Sequence, residues 1–360
     1  MGRPFFSVIV PCYNDGRYVE GAYLDRLLSS LTYQGLDKDE FEIILADDCS
    51  PVSFADTIVR YKQLLNIKYI LTEYNYAPGN TRETGVCIAA GVWITFADHD
   101  DAFYPDALLR VKEGLLRTHE NLFAFTDFDG IFPDGAFKKT YKCTLNWCHG
   151  KFYNLDEFWT KYNIHFIKDL KSHEDIAICT QVSCTLSALG RTSATYFGFS
   201  SYMWTDNPKS LSHAKYFADN ESDPRYFLEV FFRDYIASTG DIYLHRFKNH
   251  EIKYMFAIKN CLEVLCYCYF YIQSFMFRRP DSYLHQPIID AAEYVADVKQ
   301  TFNITNEQIY DAIAAADADM YYRIRSSADG GCGKYIPQVT LKDWLDDMTR
   351  QHYFSTSERS

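Results

Sequence analysis

No glycine-rich phosphate loop occurs in the 360 residues: neither G-x-G-x-x-G nor G-x-x-x-x-G-K-[ST] is present. Enzymes of hydride transfer and NTP hydrolysis cradle phosphates on such loops, so the usual types of both lose ground. Positive charge is also scarce, with 36 Lys and Arg against 48 Asp and Glu, a net charge of -12. That balance argues against a nucleic-acid partner. It leaves room for a phosphate-bearing substrate, because a bound divalent cation can supply positive charge locally. The 11 cysteines are odd in number and contain no C-x-x-C pair, which excludes the common zinc and redox motifs and fits a reducing, cytoplasmic setting. No apolar run reaches the ~20 residues that span a bilayer. The most apolar one, "CLEVLCYCYFYIQSFMF" (261–277), contains Glu263 and Gln273. It reads as a buried helix or as an interfacial one ending in Arg278 and Arg279, which would put the protein at the inner face of the membrane. The opening "MGRPFFSVIVPCYN" has too short an apolar stretch for a signal peptide and no cleavage site, so no leader is expected.

Aromatic side chains are plentiful instead: 29 Tyr and 27 Phe, spread along the whole chain. Such residues build cores and also bind flat or ringed ligands. In the first hundred residues short apolar runs alternate with helical stretches. "FFSVIVP" (5–11), "FEIILADD" (41–48), "IKYILTE" (67–73) and "VWITFAD" (92–98) read as strands. Between them, 24–34, 54–65 and 79–91 read as helices. This order predicts an α/β fold with a mostly parallel sheet flanked by helices and right-handed crossovers. A mixed stretch follows, with a strand at "ATYFGFSSYMW" (194–204); from about residue 218 the pattern is mainly helical. The expected domains are therefore 1–217 and 218–360.

Ligands of parallel sheets bind beyond the carboxyl ends of the strands, and the polar motifs fall there. "CYN" follows the first strand, "DDCS" ends the second and "DHDD" ends the fourth. Asp98 and Asp100 lie two apart, so an extended strand end would point both to one side. Paired carboxylates there suit a hard divalent cation, with coordination sites left for phosphate oxygens. The same stretch also reads as a cap for the helix expected after Pro105, with Asp101 as the capping residue. Asp47 and Asp48 can accept hydrogen bonds from a ribose or a base N–H, or turn the chain toward Pro51. In "SHED" (172–175) a carboxylate could serve as general base, and Ser172 with Asp175 equally forms a capping box. Lys209 and His213 lie in a polar loop from which they could reach a phosphate or a metal.

Taken together, "SVIVPCYN" (7–14), "ADDCS" (46–50), "NYAPGNTRETGVCIAAGVWITFADHDD" (75–101) and "HED" (173–175) resemble the family 2 glycosyltransferases of the GT-A fold. The order and spacing of four motifs carry the resemblance over about residues 5 to 215. It implies that Pro11, Tyr13 and Asp48 line the nucleobase pocket, with Arg82 close to the nucleotide. Asp98 would contact the ribose or the metal-bound nucleotide, and Asp100 would ligate Mn²⁺ or Mg²⁺. Asp175 would be the catalytic base, Glu174 would support the acceptor side, and "NPKSLSH" (207–213) would close over the diphosphate. Two departures bear on the nucleotide pocket: Thr81-Arg82-Glu83 stands where Ala-Arg-Asn is frequent, and Cys49 replaces the glycine of D-D-G-S.

The implied reaction is inverting transfer of a sugar from a nucleoside diphosphate, a uridine one by family prevalence, to a hydroxyl of a glycan, lipid-linked or polymer acceptor. The C-terminal helices would bind the acceptor, form a homo-oligomer or dock on a partner or membrane. Three alternatives stay open. A nucleotidyltransferase would carry a basic glycine-rich loop that "PCYNDGRY" does not supply. A glycoside hydrolase would use paired carboxylates without nucleotide or metal. A catalytically silent nucleotide-sugar-binding or scaffolding protein would keep the fold without the base.

Overall fold

In a computed structural model the chain divides into two compact units, Met1–Tyr216 and Phe217–Ser360. The structure describes residues 2–16, 22–118, 122–142, 147–167, 174–189 and 194–207, with 299–300, 303–305 and 308 in the second unit. The helical region expected over 218–360, the Ser172 cap, Lys209 and His213 lie outside the described residues. Among those described, no helix is long and apolar enough to cross a membrane.

The first unit alternates strands and helices as the sequence predicts: β1 (Phe6–Cys12), α1 (Ala22–Leu31), β2 (Phe41–Asp47), α2 (Ala55–Tyr61), β3 (Ile67–Leu71), α3 (Pro78–Cys87) and β4 (Trp93–Phe96). A two-residue β5 (Ala102–Phe103) and α4 (Ala107–Arg117) follow. Next come β6 (Phe123–Ile131), β7 (Phe137–Tyr141), β8 (Lys151–Asn154), a π-helical turn (Leu155–Thr160), α5 (Glu174–Ala188) and β9 (Ala194–Thr205). Among the described residues the nine strands form one sheet, ordered β3-β2-β1-β4-β8-β6-β9-β5 with β7 beside β6. The β3-β2-β1-β4 half is parallel, as the βα alternation demands. Beyond β4 the sheet is mixed: β8 and β7 pair antiparallel with their neighbours, and only β6 with β9 is parallel.

Strand pleating divides the core into two layers. Phe6, Val8, Val10 and Cys12 of β1 face Leu24, Leu27, Leu28 and Leu31 of α1 and Leu108, Val111 and Leu115 of α4. Ile9 and Ile44 face the other side, against Val86 of α3, Ile178 and Val182 of α5 and the Phe158–Trp159 turn. Strands covered on both faces read as continuous apolar runs, which is why β1, β2 and β4 are legible without alternation.

A buried polar knot locks the layers together. Ser7 Oγ donates to Glu42 Oε1 at 2.6 Å, the Ala90 N–H donates to the same oxygen, and Lys68 pairs with the other at 2.7 Å. Gly91 N donates to Ser7 Oγ at 2.8 Å. A Cβ at Gly91 would stand 2.5 Å from Ser7 N and 2.6 Å from the Phe6 carbonyl carbon, both backbone atoms that cannot rotate away. Gly91→Ala should therefore cost about 1–3 kcal/mol, as overpacked sites do. It would be read as a lower urea midpoint at unchanged slope; an unshifted midpoint would show that β4 can move off β1.

Candidate active site

Parallel register brings the strand ends level. Cys12 pairs with Asp47 and Ile9 with Phe96, so Tyr13, Asp48 and Asp98 leave the sheet on one edge. Pro11 is buried within β1 and Tyr13 is half-buried just past it. Asp47 takes the Asx-turn role, accepting from Ser50 N at 2.8 Å and from the Tyr69 hydroxyl at 2.5 Å. The turn puts Cys49 at φ +58, a left-handed backbone that glycine adopts more readily. Cys49 thus keeps the glycine's conformation without its freedom.

Asp48 does a different task. Its carboxylate accepts from the backbone N–H groups of Tyr76 at 2.7 Å and Ala77 at 3.1 Å. Ala77 holds φ +80 and ψ 158, a region that non-glycine residues enter only when the surroundings impose it. The Asp48 side chain is 5% exposed and anchors the loop that leads into α3.

Arg82, on α3, joins the two acidic motifs. Its Nη2 donates to Asp98 Oδ1 at 2.5 Å and its Nη1 to Glu174 Oε1 at 2.7 Å. Burial opposes its charge, yet the Asp98 and Glu174 carboxylates hold its pKa well above the usual value. Burial pushes the Asp98 carboxyl up, but the charges of Arg82 and His149 outweigh it and hold the group below the carboxylate norm. Close packing lets the bridge form: a Cβ on Gly79 would stand 3.1 Å from Glu174 Cβ. Asp175 follows Glu174 in the half-buried first turn of α5.

The remaining acids of "DHDD" part ways. Asp101 caps no helix: α4 begins at Ala107, with Asp106 at its N-cap. Instead the Asp101 carboxylate is fully buried, accepting from the Tyr202 hydroxyl and the Thr205 N–H, both at 2.7 Å. Burial and the neighbouring Asp100 and Asp98 carboxylates push its pKa well up. Asp100 accepts from Asn207 Nδ2 at 2.9 Å, while its carbonyl accepts from Arg26. His99 packs edge-on to the Phe54 ring.

His149 completes the cluster. Donor atoms of Asp98, Asp101 and His149 all lie within 4.8 Å of one another. Burial, with the Arg82 and Lys151 charges, pulls the imidazole down to about 4 against the pull of Asp98, so it is neutral near pH 7 and keeps a lone pair. Two carboxylates and a neutral imidazole are a chemically suitable donor set for Mn²⁺ or Mg²⁺. The sequence gives no local sign of His149. Its place follows from β8 pairing antiparallel with β4, Trp93 opposite Asn154 and Ile94 opposite Tyr153; continued, that register sets residue 98 opposite residue 149. Arg82 thus brings Asp98 and Glu174 together, with Asp175 next in sequence, whereas Pro11, Tyr13 and Asp48 lie at the ends of β1 and β2.

The family model "Glycosyl transferase family 2" matches residues 7–181. A poly(ribitol-phosphate) beta-N-acetylglucosaminyltransferase, TarS, of Staphylococcus aureus is 36% identical over 140 residues, 38% of this chain and 23% of the relative. A poly(ribitol-phosphate) beta-glucosyltransferase of Bacillus spizizenii is 33% identical over 106 residues, 29% of this chain and 16% of the relative. The matched stretch therefore spans at most about a quarter of these relatives. Among solved structures, S. aureus TarS 1–349 in complex with UDP-GlcNAc superposes with TM-score 0.62 at 20% identity, covering 96% of this chain and 92% of that one. The likeness establishes the GT-A fold. Residues 7–181, which carry the strand ends, Arg82 and the Glu174–Asp175 pair, thus match the glycosyl transferase family 2 model.

Proposed function

We propose that the protein is an inverting glycosyltransferase that moves a sugar from a UDP-sugar to a hydroxyl of a glycan or glycoconjugate acceptor. UDP-GlcNAc, the ligand held by the structural neighbour, is the first donor to test. The observation that carries this reading is the Arg82 bridge between Asp98 and Glu174, which joins the acidic strand end to the residue beside the candidate base Asp175. Residues 1–217 form the catalytic domain and 218–360 serve acceptor binding, oligomerisation or docking; the division into two compact units supports this.

Asp175 removes the proton of the acceptor hydroxyl, and Glu174, fixed by Arg82, orients the acceptor beside it. Tyr13 and the Asp48-anchored loop hold the base of the nucleotide. Asp98, Asp101 and His149 would hold Mn²⁺ or Mg²⁺, with Asp100 alongside; the raised Asp101 pKa reflects burial and then carboxylate crowding, the part that a cation relieves. When bound, the ion supplies positive charge against the charge that develops on the departing diphosphate. Lys209 and His213 are the remaining candidates for contact with that diphosphate.

The test is UDP release from a panel of nucleotide-sugars, with and without Mn²⁺. Release that stops in EDTA and returns with Mn²⁺ is expected. Release indifferent to chelation would remove the metal from this reading. Tight donor binding with no release from any donor would leave a silent binding protein.

A further inference from the structure

Beside the donor site lies an aromatic surface that the chemistry above does not use. The Phe128 and Tyr141 rings stack at 4.6 Å and 9°. Trp147 stands edge-on to both, at 5.8 and 5.4 Å, and Trp204 stands perpendicular to Tyr141 at 6.1 Å. Phe128 is buried, Tyr141 and Trp204 are half-buried, and Trp147 keeps 36% of its surface open. Exposed Phe132 and Phe137 continue the surface along the β6–β7 hairpin. Large exposed aromatics clustered in this way mark a binding surface more often than a core.

Two features say what it binds. The first is position. Trp147 is two residues from His149, whose ring stacks on Tyr202 at 5.2 Å and meets the Phe128 edge at 5.3 Å. Tyr202 donates to Asp101 and accepts from the Asp98 N–H. Rings therefore run without a break from Trp147 to the acidic cluster. The second is charge. In a chain of net charge -12, the exposed Lys139 ammonium lies 4.4 Å from the Tyr141 ring and has no carboxylate partner among the described residues. Lys138 lies 5.7 Å from the Trp204 ring and pairs with Asp206.

We infer that Trp147, Tyr141 and Trp204, rimmed by Lys139, form the acceptor subsite, and that they take a chain of sugar or polyol units joined through phosphates. The C–H faces of the units lie on the Trp147 and Trp204 rings, whose negative π-faces attract them, while Tyr141, stacked on Phe128 with Lys139 over its ring, supports both, and Lys139 meets a phosphate. A neutral glycan would use the rings and leave the lysine idle. The inference rests on the transferase reading for its choice of acceptor, and its test separates the two.

The full-length chain is titrated, by tryptophan fluorescence and by steady-state turnover with UDP-GlcNAc and Mn²⁺, with a ribitol-phosphate oligomer and with an uncharged N-acetylglucosamine oligomer. Trp147→Ala is expected to raise the KM for the phosphate oligomer about tenfold, the scale of a truncated aromatic anchor, while the KM for UDP-GlcNAc stays within twofold. Trp147→Tyr should recover most of the loss. Lys139→Gln should raise the acceptor KM about threefold and flatten its dependence on salt. An unchanged acceptor KM in Trp147→Ala overturns the subsite. Equal affinity for both oligomers, with Lys139→Gln silent, overturns the phosphate assignment. If the wild type releases no UDP yet binds the phosphate oligomer through Trp147, the transferase reading fails and the subsite stands. Should Trp147→Ala not fold, Trp147→Tyr is expected to remove the oligomer-induced change in tryptophan fluorescence, a change that survives the exchange overturning the subsite, and the exposed Lys139→Gln decides the phosphate assignment.

Discussion

Replacing Asp175 with Asn is expected to lower turnover about 10³-fold while leaving the Kd for UDP within twofold of wild type. The expectation rests on separating shape from charge. Asn has the volume of Asp and fits the same place in the first turn of α5, but it cannot take a proton from an attacking hydroxyl. General-base catalysis is worth about 10²–10⁴-fold. In the proposed reading UDP binding rests on the strand ends and on Asp98, Asp101 and His149, which the exchange leaves intact. Glu174→Gln provides the contrast. Glu174 is tied to Arg82 at 2.7 Å, so its neutralisation disturbs the bridge and should change stability as well as rate. Calorimetric titration with UDP, beside turnover under saturating donor, checks both. Wild-type turnover in Asp175→Asn would remove the base from this residue.

Much of the site was legible in sequence because the parallel half of the sheet is covered on both faces. Its strands read as plain apolar runs, and β1, β2 and β3 end within two residues of where the pattern ends them. The polar residues just past those runs could then be placed on one edge by topology alone. In the other half the strand at 194–204 was legible as β9, but the pairing was not. β6, β8 and β9 find partners far away in sequence, and no local pattern sets their register. His149 meets Asp98 only through that register, and Tyr202 and Thr205 reach Asp101 only through β9. Asp101 therefore read as a cap from its neighbours in sequence, although its partners lie about a hundred residues away. Arg82 was expected close to the nucleotide; its ion pairs with two carboxylates of the protein itself, one of them on α5, were not legible in sequence.

That distinction makes Arg82→Met the most consequential substitution for stability. The guanidinium is 7% exposed and neutralises two carboxylates, Asp98 at 31% and Glu174 at 15% exposure. Methionine fills similar volume but leaves both negative charges facing each other in a partly dry site. Breaking a buried pair by removing one partner costs about 3–5 kcal/mol. For a unit of about 200 residues this is a fall in Tm of roughly 6–20 °C. Arg82→Lys should fall between, because one ammonium cannot fork across two carboxylates. The pH response gives an independent reading. In the wild type the Asp98 pKa is held below its unfolded value. Its contribution to stability is therefore present above about pH 4 and is lost as pH falls through the folded pKa. Without Arg82 the sign reverses: burial raises the Asp98 pKa, so the variant gains stability as Asp98 protonates on acidification. Urea midpoints measured without divalent metal between pH 5 and 8 carry the His149 and Asp101 titrations in both proteins, so the difference between Arg82→Met and the wild type is the reading, and it should shrink toward pH 5. If Arg82 instead served the nucleotide, as its motif suggests, Arg82→Met would weaken UDP binding and leave the midpoints and their pH slope unchanged.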